Sequence, residues 1–142
     1  SYCPSSTQKT QYVVYRLPTN NTMFEFNKEI ASIDRIIESN PDDVCWSHTL
    51  INSKSNSATL IAQMPGEGNR MHYHADWDEW WHILKGEWEW FIEGQAVRVK
   101  KGDMVFIERN KVHKITAMGD GQAIRLAVSR EDVDHIYTTE NY

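Results

Sequence analysis

From position 44 onward, apolar and polar residues alternate over short runs, which is the pattern of half-buried strands. Strands are predicted at 44–51, 58–64, 70–74, 79–84, 87–93, 95–99, 104–107, 113–117 and 122–128. Turn-forming residues separate them, among them Pro65–Gly68, Lys85–Gly86, Glu93–Gly94, Lys101–Gly102 and Gly119–Gly121. Before this region, residues 11–17 (QYVVYRL) are β-branched and aromatic and read as another strand. Residues 27–39 differ in period. Ile30, Ile33, Ile36 and Ile37 fall at helical spacing, with Asn27 as the expected N-cap and Pro41 just past the end. Many short strands after one helix predict an all-β sandwich or barrel with an N-terminal helix.

No repeat or linker divides the 142 residues, so residues 11–142 are expected to form one domain behind a polar tail at 1–10. The chain carries 15 Lys and Arg against 20 Asp and Glu, a net charge of -5, without the basic cluster a phosphate backbone requires. Nucleic acid is therefore not an expected partner. No apolar run approaches the roughly 20 residues of a membrane span, so no membrane partner is expected either. Cys3 and Cys45 make no disulfide framework or zinc pattern, and a bridge between them is a minor expectation. No signal peptide is visible, and the expectation is a reduced, cytoplasmic protein.

The chemistry concentrates between Gly66 and Gly86. His72 and His74 are two apart, so on a strand both imidazoles face one side. A short turn delivers Glu79 to the next strand, which can aim it into the same cavity if the two pair antiparallel. His113 follows a second glycine turn at Gly102. Three imidazoles and a carboxylate suit a divalent transition metal, and the absence of thiolate argues against a structural zinc. Four protein donors leave two octahedral positions open, a catalytic arrangement.

These residues resemble the cupin superfamily. Gly66, His72, His74, Glu79 and Gly86 match every defined position of the first cupin motif, G(X)5HXH(X)3–4E(X)6G. Gly102 and His113 match the second, G(X)5PXG(X)2H, with Glu108 where proline is usual and Asn110 where glycine is usual. Asn tolerates the left-handed conformation that a glycine would take there. The resemblance covers about residues 58–129. It implies a double-stranded β-helix, or jelly-roll barrel, with the metal inside.

Strand parity nominates further site residues. Trp81 lies on the face of Glu79, and Trp88 and Trp90 face inward if Glu87 and Glu89 face water, so the three indoles are candidate walls of an apolar pocket. The bland alternative is that they fill a core or an interface. Arg70, on the face of His72 and His74, and Arg125 are candidate anchors for an acidic substrate. His82 points away from Glu79 and is read as a surface or interface residue. His48 and His135 receive no role.

The favoured function is a mononuclear non-haem Fe(II) enzyme of the dioxygenase type acting on a small-molecule substrate. Cupin relatives with this ligand set include thiol, acireductone, aromatic and diketone dioxygenases. Two alternatives stand: an isomerase, epimerase or lyase with Zn, Mn or Ni in the same cage, and a small-ligand-binding cupin without catalysis. One divalent transition metal ion per chain is expected, Fe(II) first, with Mn, Ni, Zn or Cu as other occupants. A homodimer is expected, with the 11–17 strand as a natural donor.

Overall fold

The computed structural model describes residues 25–130 and 135–138, so the expected tail and the 11–17 strand lie outside the described residues. In chain order the elements are α1 (Ile33–Glu38), β1 (Trp46–Asn52), β2 (Ser57–Gln63), β3 (His72–Tyr73), β4 (Glu79–Lys85), β5 (Glu87–Ile92), β6 (Gln95–Lys100), β7 (Met104–Ile107), β8 (His113–Met118), β9 (Ala123–Ser129) and β10 (Ile136–Tyr137). Among the described residues all pairing is antiparallel, in two five-stranded sheets ordered β1-β2-β9-β4-β7 and β10-β3-β8-β5-β6. This is the expected all-β jelly-roll.

Alternation decides what faces the interior. Glu79, Trp81 and Ile83 of β4 are buried, as are Trp88 and Trp90 of β5 and His113, Ile115 and Ala117 of β8. Their neighbours Glu87 and Lys114 are exposed, where charge costs nothing to solvate. The indoles pack edge to face, with ring centroids 5.3 Å apart for Trp81–Trp90 and 6.2 Å for Trp88–Trp90. Strand β9 is buried on both faces at Ala123, Ile124 and Arg125 because α1 covers its outer side. There Ile33, Ile36 and Ile37 pack on Leu60, Ala62 and Ile124.

The helix is shorter than its sequence pattern. Ser32, not Asn27, is the N-cap, its hydroxyl accepting from Arg35 N at 3.2 Å. Asn27 instead adopts φ 63° and grips the end of β1, donating to Asn52 O at 3.0 Å and accepting from Asn52 N at 2.8 Å. That pairing holds the preceding segment off the helix axis and leaves Ile30 89% exposed. Strand β3 is also shorter than predicted, and β10 was not predicted. Cys45 is closed in a disulfide, contrary to the expectation of reduced thiols, and its partner lies outside the described residues. Among the described residues no helix is long and apolar enough to cross a membrane.

Candidate metal centre

The donors converge because residues 66–72 zip onto β8. Gly66 N donates to Ala117 O at 2.8 Å, Ala117 N to Glu67 O at 2.8 Å, and Asn69 N to Ile115 O at 3.1 Å. The Asn69 side chain returns a bond, accepting from Ile115 N at 2.8 Å. The backbones close so tightly at Gly68 that a Cβ there would stand 1.9 Å from Ile115 O. Continuing this register places His72 opposite His113, with ring centroids 4.3 Å apart. The turn before His113 is fastened to the segment before Glu79. Asn110 N donates to His74 O at 2.7 Å, and Asp78 accepts from Arg109 N at 2.9 Å. Asn110 has φ 68°, the left-handed conformation expected where cupins usually carry glycine.

His72, His74, Glu79 and His113 are all buried, and one donor atom from each lies within 4.8 Å of the others. Two donors about 2.1 Å from a shared ion lie at most about 4.2 Å apart, so the group would have to draw in by about half an ångström at its widest to hold one ion. Nδ1 of His72 is 2.7 Å from Arg70 O, and Nδ1 of His113 is 2.9 Å from Lys111 O. A carbonyl can only accept, so each Nδ1 carries the proton and each Nε2 lone pair faces the group. His74 Nε2 approaches Glu79 Oε1 to 2.6 Å, and His113 Nε2 lies 3.9 Å from the same oxygen. Neither Glu79 Oε1 nor His113 Nε2 makes a hydrogen bond of ordinary geometry among the described residues. Buried acceptors left this way ask for a cation.

Electrostatics agree. Burial, reinforced by the neighbouring His113, pushes the His72 pKa down to about 3 against the pull of the Arg70 carbonyl. Burial likewise lowers that of His113. Both imidazoles are therefore neutral near pH 7, the form that binds metal. The residues present fit a divalent transition metal held by nitrogen and oxygen.

The other nominated residues sit differently. Trp81 touches the group, its ring 5.7 Å from that of His113. Trp90 packs behind Trp81 and Trp88 behind Trp90, so these two fill the interior rather than wall an open pocket. Arg125 is buried deeper still, its guanidinium 4.4 Å from the Trp88 ring and donating to Gln63 Oε1 at 2.7 Å. It pairs with Ile83, four residues along β4 from Glu79, or about 13 Å at strand rise. This places it away from the donors, in the core. Arg70 is exposed, with its guanidinium 4.3 Å over the Tyr137 ring, and reaches the group only through its carbonyl. His82 lies on the outer face of β4 opposite Met104, as expected. His48 is on β1, away from the group.

His135, which sequence reading left without a role, lies beside the site. Its ring centroid is 4.8 Å from His72 and 4.5 Å from His74. No local pattern could announce this, since β10 is a two-residue strand placed by pairing with β3.

Fold and site together define a double-stranded β-helix carrying a buried three-histidine, one-carboxylate group. The Cupin domain family model matches residues 59–129, half of the chain, and the protein belongs to that family. An uncharacterized protein of Aquifex aeolicus is 43% identical over 42 residues, 30% of this chain, and the match spans about a third (35%) of that relative's length. A solved structure from Klebsiella pneumoniae, a conserved protein with a double-stranded β-helix domain, has TM-score 0.68 at 18% identity. That likeness covers 80% of this chain and 94% of the other. A predicted oxalate decarboxylase of Thermotoga maritima is 26% identical with TM-score 0.56, covering 60% of this chain and 78% of its own.

Proposed function

We propose that this cupin is a metal-dependent enzyme acting on a small organic molecule, with one ferrous ion held by His72, His74, Glu79 and His113 and an oxygen-dependent, dioxygenase-type reaction. The observation that carries the proposal is the buried convergence of three imidazoles with one carboxylate. A ferrous ion bound there would supply redox chemistry toward O2. The chain's residues do the rest. The Arg70 and Lys111 carbonyls fix the tautomers of His72 and His113, Glu79 contributes the negative charge that offsets the ion, and Trp81 and Ile107 keep water from beneath the site.

The test is elemental analysis of protein purified without added metal or a nickel column, with His74→Ala in parallel, followed by O2-uptake screens of small acids and thiols. About one equivalent of iron, lost in His74→Ala, with substrate-dependent O2 consumption, is the expected result. No metal in the purified protein and none taken up on soaking would overturn the proposal.

A second reading is favoured by the likeness to the predicted oxalate decarboxylase. It is a non-redox lyase or isomerase with manganese, zinc or nickel in the same cage. Turnover without O2, retained when the metal is exchanged, would put this reading first. Stabilisation by a ligand without any turnover would instead indicate a binding cupin.

A further inference from the structure

Strand β10 pairs antiparallel with β3 beside the site, with Ile136 opposite Tyr73 and Tyr137 opposite His72, and Thr138 N donates to Met71 O at 3.3 Å. This brings the His135 ring against two of the four donor residues, edge-on to His74 at 4.5 Å and tilted 35° to His72 at 4.8 Å. His135 nevertheless stands outside the converging group, and it is exposed where the four donors are buried. It therefore borders the group on the side open to solvent. Its orientation is supported from behind. Tyr137 stacks on it at 6.1 Å and 23°, and the Arg70 guanidinium lies over Tyr137 at 4.3 Å.

We propose that His135 is a positioning residue for the small ligand of the metal centre, its imidazole hydrogen-bonding the part of that ligand that projects from the ion. The ligand class is a small anion or acid with a second oxygen or nitrogen close to its metal-binding atom. The inference rests on the metal reading above. Arg70, nominated as a direct substrate anchor, acts one step back by holding Tyr137 and so His135.

The experiment uses the full chain loaded with Co(II), with azide as the probe and the cobalt d–d absorption as the readout. Azide can bind the ion through one end and reach His135 with the other. Wild type, His135→Ala and His135→Gln are each expected to bind one cobalt with the same baseline spectrum. Azide affinity falls about five- to tenfold in His135→Ala, the scale of one hydrogen bond. It is largely restored in His135→Gln, which keeps a donor and an acceptor. Unchanged or tighter azide binding in His135→Ala would overturn the inference while leaving the metal reading intact. Loss of cobalt, or an altered baseline spectrum in His135→Ala, would overturn it in favour of direct ligation by His135. Failure of wild type to bind cobalt would overturn both readings.

Discussion

Gly68→Ala tests how the donors are brought together. A Cβ at Gly68 would lie 1.9 Å from Ile115 O, 2.9 Å from Ile115 C and 3.0 Å from Thr116 Cα. All three are backbone atoms, so no side chain can swing aside. Ordinary contact needs about 3.4 Å or more, so the two backbones must part by about 1.5 Å. That movement breaks the Gly68–Thr116 bridge and strains the bond from Asn69 N to Ile115 O. Overpacking of this kind costs about 1–3 kcal/mol, and the lost backbone bonds add about 1 kcal/mol each. A loss of about 3 kcal/mol lowers the melting temperature by roughly 10 °C in a domain of this size. The same displacement separates His72 from His113, so cobalt affinity falls as well. Gly121→Ala is the control, because nothing lies within 4 Å of its Cβ. The assay is paired thermal unfolding of the metal-free proteins and cobalt titration. Equal melting temperatures and equal cobalt affinities for the two variants would refute the account of Gly68 as the register point of the site.

Three further outcomes are expected. His113→Ala should weaken metal binding by about 100-fold or more while circular dichroism stays β-rich, whereas His82→Ala leaves metal content unchanged, and calorimetric titration checks both. His72, with its pKa lowered to about 3 from 6.5, binds a proton more readily in the unfolded chain. Its stabilising contribution to the metal-free fold is therefore complete above about pH 6.5 and declines as pH falls toward 3. Between pH 6.5 and 4.5 the change is of order 2–3 kcal/mol, read as urea midpoints, and His72→Gln should flatten the slope. An equally steep slope in that variant would count against a buried neutral imidazole. Finally, we propose the homodimer expected from the sequence. Met104 and Phe106, 65% and 62% exposed on edge strand β7, support it as an apolar contact. Light scattering should give twice the chain mass for wild type and the monomer mass for Phe106→Glu, and a wild-type monomer would refute it.

Sequence reading reached the site because parity is a local property. In EWWHILK the alternation that buries Trp81 and Ile83 also turns Glu79 inward and His82 outward, and the structure follows it residue by residue. The spacing of His72 and His74 carried their common face in the same way. Parity fixes a face but not a depth, so it cannot separate pocket from core for Arg125, Trp88 and Trp90, all of which lie buried in the core. Nor does parity follow a long side chain to its end, so the turn of Arg70 onto Tyr137 was not legible. The helix starts at Ser32 rather than Asn27 because Asn27 is held by a partner in β1, Asn52, that no local window contains. His135 was missed for the same reason, since only the long-range pairing of β10 with β3 brings it to the site.

The barrel separates its two tasks along each strand. Strand β4 carries Glu79 at its start, then Trp81 and Ile83 on the same face, and β8 carries His113, then Ile115 and Ala117. Each strand thus sets one donor at the site end and apolar bulk behind it. Removing a donor takes a polar group from the edge of a core that stays packed, so it should cost metal before it costs stability. Removing Trp88 or Trp90 should do the reverse, because these rings pack on one another, on Trp81 and on Arg125. Trp81 is the exception. It packs against both Trp90 and His113, so its loss opens the core and unseats a donor together. The indole nearest the donors is where folding and chemistry share a side chain.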